Sequence, residues 1–280
     1  MRPVLATSHA RIHMHSSTVA PKLVNRLYAA LILTCLVTPI PARDVEPKQK
    51  TSVATNAGRR YTLESLAGEY SFGNGLDLNY DLHIVGDGQF TYQQASYEGV
   101  QAEAAGRVAL RGNRLVLTPE TATPEAWPNG MGLELVPVAW GDRQYLVPQK
   151  DMMAFINACN RGSEPVQQIS RGQFFLREGD LDKPAPGRPD VPKAFAGLLL
   201  TKPVTGRVLS SDESGRWKVN VGRASGLQPG MELCASSPGN EDCVTVCVCV
   251  VQDDCCIVET RKAPTTPLVN WKVCTRQHSE

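Results

Sequence analysis

Seven of the nine cysteines of this 280-residue chain fall in one segment, between Cys234 and Cys274. This density constrains the fold, because it is typical of small domains that are held together by disulfides in an oxidising compartment. Within the segment, Cys243, Cys247 and Cys249 alternate with valines. A strand there would place the valines on one face and the cysteines on the other.

The cluster supplies the disulfide candidates of the chain. A Cys234–Cys243 bridge would close the loop of residues 235–242, and closing a short loop in this way stabilises a fold by about 2–4 kcal/mol. A turn at residues 252–254 predicts a hairpin, across which Cys249 could meet either cysteine of the returning strand. The register is not readable from the sequence, and whether Cys159 is a thiol stays open. The candidates are Cys234, Cys243, Cys247, Cys249, Cys255, Cys256 and Cys274.

The spacing of these cysteines argues against metal or redox chemistry. Structural zinc sites and redox relays usually carry a Cys-x-x-Cys motif, and the segment contains none. Structural disulfides are therefore favoured, and we expect no metal ligand and no cofactor. A cysteine-based metal-binding module stays an alternative.

The chain begins like a secreted protein. The first 43 residues carry five basic and no acidic side chains, and the uncharged apolar run Leu27–Val37 precedes two prolines. This pattern predicts a cleaved signal peptide over residues 1–42, since a membrane-spanning helix needs roughly 20 apolar residues. An uncleaved anchor and a lipid on Cys35 are alternatives, and Met14 could be the true start. We expect export to the periplasm or outer membrane, with membrane contact only through the leader or a lipid anchor.

The charge balance argues against nucleic acid as a partner. Without the five basic residues at the N-terminus, 24 basic residues remain against 28 acidic ones. Aromatic residues make up only 6% of the chain, and no basic stripe is visible. Nucleic-acid binding needs positive charge gathered on one face.

A first β domain is predicted over residues 61–180, after a polar linker at 43–60. Apolar and polar residues alternate along Gly75–Val85, a tight turn follows at Gly86–Gly88, and short strands continue beyond it. Regular strands with glycine-rich turns are typical of an antiparallel meander or small barrel. Residues 151–161 form the one short helix, because their apolar side chains recur at helical spacing.

Short motifs in this domain carry a resemblance to lipocalin-like secreted proteins. Leu66–Tyr70, Gly88–Phe90 and Leu115–Leu117 are similar to the repeating hairpins of that family. The resemblance implies a barrel with a cavity for a small apolar ligand. Its lining would be Leu78, Tyr80, Leu82 and Phe90.

A second, smaller domain is predicted over residues 196–276. Four prolines between residues 183 and 192 cannot continue a helix or sit in a central strand, so residues 181–195 are read as a linker. The loop Gly222–Met231 resembles one common in small β-barrels of the bacterial cell envelope. The sequence thus predicts a mainly β chain, with a meander or small barrel and one short helix, followed by a second small disulfide-containing β-barrel.

No residue pattern indicates catalysis. After removal of the leader only His83 and His278 remain, which gives little scope for a nucleophilic triad. We expect a non-catalytic binding or structural module, whose partner is an unknown envelope component or a small apolar ligand. The rival hypothesis is a carboxylate-based hydrolase, for which Asp77, Asp81, His83 and Asp87 would have to converge in one cleft with shifted pKa values.

Overall fold

The computed structural model describes seven stretches of the chain, and residues 49–280 cluster into one compact unit. The described residues are 54–56, 59–73, 78–122, 134–165, 174–239, 243–260 and 268–275. The predicted leader, Asp77 and His278 lie outside them. Among the helices of these stretches, none has the length and apolar character needed to cross a membrane.

The predicted meander is a closed eight-stranded antiparallel barrel. Consecutive strands pair along the chain, and the last strand closes the barrel by pairing with both the first and the preceding one. The strands are β1 (Ala54–Asn56) and β2 (Arg59–Tyr61), a separate pair at the end of the predicted linker, then the barrel strands β3 (Gly68–Gly73), β4 (Leu78–Ile84), β5 (Gln89–Ser96), β6 (Gly99–Arg111), β7 (Arg114–Ala122), β8 (Glu134–Trp140), β9 (Arg143–Pro148) and β10 (Phe175–Arg177). Helix α1 (Leu63–Leu66) lies between β2 and β3.

Aromatic side chains fill the interior of this first barrel. The period-two alternation points every second residue inward, so Tyr70, Phe72, Tyr80 and Tyr92 are all buried. The ring centroids of Phe72 and Tyr80 lie 5.3 Å apart, and those of Tyr80 and Tyr92 lie 6.3 Å apart. The alternation that predicted the strands therefore also builds the core.

The predicted short helix is α2 (Met152–Arg161). Its apolar face packs on the outward side of β8 and β9, in a cluster that includes Phe155, Ile156 and Tyr145. Gly162 ends the helix in the left-handed conformation with φ of 72°, which glycine adopts without a steric penalty.

The second barrel has six antiparallel strands and a valine-rich core. After helix α3 (Lys193–Ala196), its strands are β11 (Thr205–Ser211), β12 (Trp217–Val219), β13 (Glu232–Ser236), β14 (Cys243–Val251), β15 (Cys256–Thr260) and β16 (Lys272–Cys274), in the spatial order β11-β12-β15-β14-β13-β16. In the loop between β12 and β13, Gly226 and Gly230 both have φ of 86°. This backbone conformation explains the glycines at those two positions.

The proline-rich segment between the barrels lies against the first barrel. Its backbone accepts hydrogen bonds from Trp140 Nε1, at Gly187 O (3.1 Å), and from the Asp142 N–H, at Pro184 O (3.1 Å). The N–H of Asp190 donates to Ala139 O at 2.7 Å. The segment predicted to be a linker is thus held along β8 and β9.

Helix α2 joins the two barrels through buried polar contacts. The Asn157 amide donates to Gly230 O and accepts from the Glu232 N–H, both at 3.1 Å. Arg161 Nη1 lies 2.5 Å from Glu232 Oε2, and both side chains are largely buried, at 18% and 12% exposure. The short helix therefore contacts the backbone and a side chain of the second barrel's β13.

Candidate functional site

The larger of the two cavities described here is an open groove of about 990 Å³ on the first barrel. Most of its exposed lining belongs to the outward-facing alternation of β3 to β6, and four buried residues of those strands also border it: Tyr70, Leu82, Tyr92 and Ala104. Its polar lining includes Glu69, Ser71, Asp81, His83, Gln93 and Glu103.

The strand register arranges this lining in two rows. Ser71, Asp81, Gln93 and Glu103 are successive cross-strand partners on β3, β4, β5 and β6. Directly opposite residues of an antiparallel pair have Cβ atoms about 4.5–5.5 Å apart. Gln93 Nε2 donates to Glu103 Oε1 at 3.1 Å. A second row runs beside it, in which Glu69 faces His83 and His83 faces Thr91 on the next strand.

A bulge in β7 lies at one end of the groove. The adjacent Ala105 and Gly106 of β6 pair with Thr121 and Pro119, so Glu120 is the extra residue of β7, and a bulge bends the strand that carries it. A Cβ at Gly106 would lie 2.2 Å from Thr118 O, so only glycine fits this close approach. Beyond the bulge, Thr121 and Ala122 of β7 border the groove.

The groove is acidic. Four carboxylates line it, and no Lys or Arg is among the described residues that do so. The pKa of Glu178 is raised because its carboxyl hydrogen-bonds that of Glu69 and lies near the Glu69 charge. Partial loss of hydration raises the pKa of Asp81, and the Glu69 charge raises it further. Like charges held close together in this way favour proton or cation uptake.

The structure brings together some of the carboxylates and histidines considered from sequence. Asp81 and His83 both line the groove. Asp87 does not; its two carboxylate oxygens accept hydrogen bonds from the backbone N–H and the side-chain amide of Gln89, at 3.0 and 2.8 Å. Asp77 lies outside the described residues.

Three groove carboxylates were missed by the sequence analysis. Glu69 and Glu103 alternate with inward-facing residues, so the strand period alone could have placed them on the outer face. Glu178 follows β10, and only the closure of the barrel brings it beside Glu69, whose carbonyl accepts a hydrogen bond from the Glu178 N–H at 2.8 Å.

The residues predicted to line an apolar cavity lie in the barrel core. Tyr80, Leu82 and Phe90 are buried in the main cluster, and the half-buried Leu78 packs against it. Leu82 borders the groove, whereas the other three line neither of the two described cavities. Binding of an apolar ligand by these four side chains stays a prediction; their described contacts are those of core packing.

The structure contains the predicted Cys234–Cys243 disulfide, with a Cα–Cα distance of 5.5 Å. The other disulfide candidates and Cys159 carry thiols, and their pairing stays a prediction. On β14, Val246 and Val248 face the core, as the alternation predicts. A register shift after Val248 ends the alternation.

The cysteines of the β14–β15 hairpin differ in burial. Cys256 is fully buried in the core, opposite Val251. Burial raises the pKa of the Cys256 thiol to about 12, and that of Cys159 likewise to about 12. In the described stretches, no group of three or more His, Cys, Asp or Glu side chains is arranged to hold a metal ion.

Comparison with known proteins yields no match: no family model, no curated protein and no solved structure is similar to this chain.

Proposed function

We propose that this protein is a non-catalytic binding module of the cell envelope, exported by its N-terminal leader, and that the acidic groove on the first barrel is its binding surface. The observation that supports this most is the groove itself: about 990 Å³ of open space bordered by four carboxylates and no described basic side chain. The leader pattern in the sequence supports export.

The chemistry of the lining favours a ligand with positive charge and hydrogen-bond donors. Ionised carboxylates only accept hydrogen bonds, and ammonium and guanidinium groups only donate them. The carboxylates lie along two rows of neighbouring strands, and the groove is open, so an extended cationic segment of an envelope component suits it. Such recognition combines charge attraction with hydrogen bonds to charged groups.

A hexalysine peptide, compared with hexaglutamate, tests this proposal in calorimetric titrations at low and high salt. We expect hexalysine alone to bind, and its affinity to fall with salt, since salt screens exposed charges. Asp81→Asn and Glu103→Gln should each weaken binding about threefold to fivefold, as expected for one exposed ion pair. Glu213→Gln removes an exposed carboxylate from the second barrel and serves as the matched control. Equal affinities for both peptides, or equal losses in the control, would contradict the proposal.

A second candidate function is a carboxylate-based hydrolase, which the Glu69–Glu178 pair favours. The carboxyl of Glu178 is hydrogen-bonded to that of Glu69 and has a raised pKa. The acid of a hydrolase acid–base pair likewise has a raised pKa. Chromogenic glycosides and esters are the probes. Turnover that Asp81→Asn and Glu178→Gln remove, and Glu213→Gln leaves intact, would favour the hydrolase over the binding module. Turnover that all three variants retain belongs to a contaminant.

A further inference from the structure

A third cysteine lies beside the disulfide of the second barrel. In the β13–β16 pair, Cys274 is directly opposite Cys234. On the other side of β13, Cys234 is opposite Thr245 and is bridged diagonally to Cys243. Directly opposite antiparallel residues have Cα atoms about 4.5 or 5.5 Å apart, which lies within the range that disulfides require. Cys234 thus has one bonded sulfur partner and a second cysteine at disulfide distance.

The three cysteines share one face of the sheet. The residues adjacent to Cys234, Leu233 and Ala235, belong to the barrel core. Period-two alternation therefore turns Cys234 outward, and the register turns Cys274 the same way. Cys234 is nevertheless only 5% exposed and Cys274 only 6% exposed. Because both residues are largely, though not fully, shielded from solvent, a reaction between them is favoured over one with an external thiol.

We propose that Cys234, Cys243 and Cys274 form a thiol–disulfide exchange site, in which Cys234 is bonded alternately to Cys243 and to Cys274. The Cys274 thiol first loses its proton to solvent. Its sulfur then forms a bond to Cys234 Sγ while the Cys234–Cys243 bond breaks, and the electron pair leaves on the Cys243 sulfur, which takes up a proton. One disulfide and one thiol are present before and after the step, so no oxidant or reductant is consumed.

The two bridges constrain different parts of the barrel. Cys234–Cys243 closes the short loop between β13 and β14, across a sequence separation of nine. Cys234–Cys274 would instead tie β13 to β16, the three-residue strand that closes the barrel between β11 and β13. Exchange therefore releases the constraint on the β13–β14 loop and introduces one between β13 and β16, where the barrel closes. A longer ring restricts the unfolded chain more, so the form with the second bridge should unfold less readily.

The charged groups around Cys274 set the pH at which exchange becomes fast. On its face of the sheet lie Lys272 of the same strand, Arg207 of β11 and Glu232 of β13, which is paired with Arg161. Burial raises the pKa of the Cys274 thiol, and Lys272 lowers it by a smaller amount. Since the thiolate is the attacking species, the rate should rise about tenfold per pH unit in the range below that pKa.

A pH jump on the unmodified protein tests the proposal. Protein with the Cys234–Cys243 bridge is held at pH 5, transferred without oxidant to pH 9, and sampled over time into acid and denaturant. Thiols are then alkylated with N-ethylmaleimide, and peptides are mapped without reduction. We expect alkylation to move from Cys274 to Cys243 while the number of disulfides stays constant. If Cys274 is alkylated and Cys243 is protected at every time point, there is no exchange.

Two variants give an independent measurement. With oxidised glutathione, Cys243→Ser should form the Cys234–Cys274 bridge, because Cys274 lies directly opposite Cys234. Cys249→Ser, a matched control on the same strand, should exchange as the unmodified protein does. If Cys243→Ser folds and both Cys234 and Cys274 stay alkylatable, the proposal is wrong. If it does not fold, the pH jump decides.

Discussion

The two barrels follow one rule of alternation and differ in what each face carries. The eight-stranded barrel packs Tyr and Phe inside and presents a row of carboxylates outside. The six-stranded barrel packs mostly valine and leucine inside, together with Cys256, and has Cys234, Cys243 and Cys274 on its outer face. A barrel's interior widens with strand number, which agrees with aromatic filling in the first and aliphatic filling in the second. In both barrels, the residues of the proposed sites, which are the groove carboxylates and the three exchange cysteines, lie on the outward face.

The difference between the aromatic and the aliphatic core should have its largest effect on the free energy of unfolding. Phe72→Ala in the first barrel should cost about 3–5 kcal/mol of unfolding free energy, from lost burial plus the cavity left behind. Val219→Ala in the second barrel removes a smaller buried side chain and should cost about 2 kcal/mol. Urea unfolding measures both. Val100→Ala, at a residue 55% exposed, is the control and should change little. Equal losses at Phe72 and Val219 would break the comparison.

The contact between the barrels should couple their unfolding. Arg161→Met leaves the largely buried Glu232 carboxylate without its cation, and removal of one partner of such a pair costs about 3 kcal/mol. We expect the single urea transition of the unmodified protein to separate into two in this variant. Far-ultraviolet circular dichroism and tryptophan fluorescence measure the transitions. Arg223→Met breaks an exposed ion pair with Asp253 and should leave a single transition. A single, unshifted transition in Arg161→Met would show that the barrels are coupled by other contacts.

The acidic outer face of the first barrel should make its stability depend on pH. The folded-state pKa of Asp81 is raised above its ordinary value of 3.8, so the folded state binds more protons than the unfolded one just above that pH. Stability should therefore fall as pH rises from about 4 through the raised pKa, and then level off. Asp81→Asn should reduce this slope in urea midpoints, and Glu213→Gln should not. An unchanged slope in Asp81→Asn would contradict the assignment.

The cysteines of the second barrel should differ in reactivity by position. Cys255 and Cys256 are adjacent, yet Cys255 is partly exposed, whereas Cys256 is fully buried with its pKa raised to about 12. We expect iodoacetamide to label Cys255 first at pH 8, and Cys256 only on unfolding. Peptide mapping of timed samples measures both rates. Similar rates in the folded protein would mean that Cys256 is not held in the core.

The strands were predictable from the sequence where one face of the sheet is exposed to solvent. Along β4, polar and apolar residues alternate, and the structure confirms inward Tyr80 and Leu82. The position of α2 on the barrels was not predictable. Its apolar face was visible in the sequence, but the hydrogen bonds of Asn157 to Gly230 and Glu232 join residues more than 70 positions apart. No local pattern marks such a pair.

The acidic groove, too, was predictable only in part from the sequence. The strand period could have placed Glu69 and Glu103 on the outer face, yet nothing in the sequence set them near each other. The cross-strand register of β3 to β6 did so, and the bulge of β7 opposite Gly106 lies at one end of the same groove. The disulfide was predicted because Cys234 and Cys243 flank one short loop.

The sequence by itself determined the fold class, the two β regions, the short helix and the Cys234–Cys243 bridge, because period, turns and loop closure act over neighbouring residues. Only the tertiary structure decided which carboxylates share a groove, where the helix docks, and that Cys274 lies opposite Cys234. These depend on strand register and barrel closure, which are set by the packing of the whole core and leave no local trace in the chain.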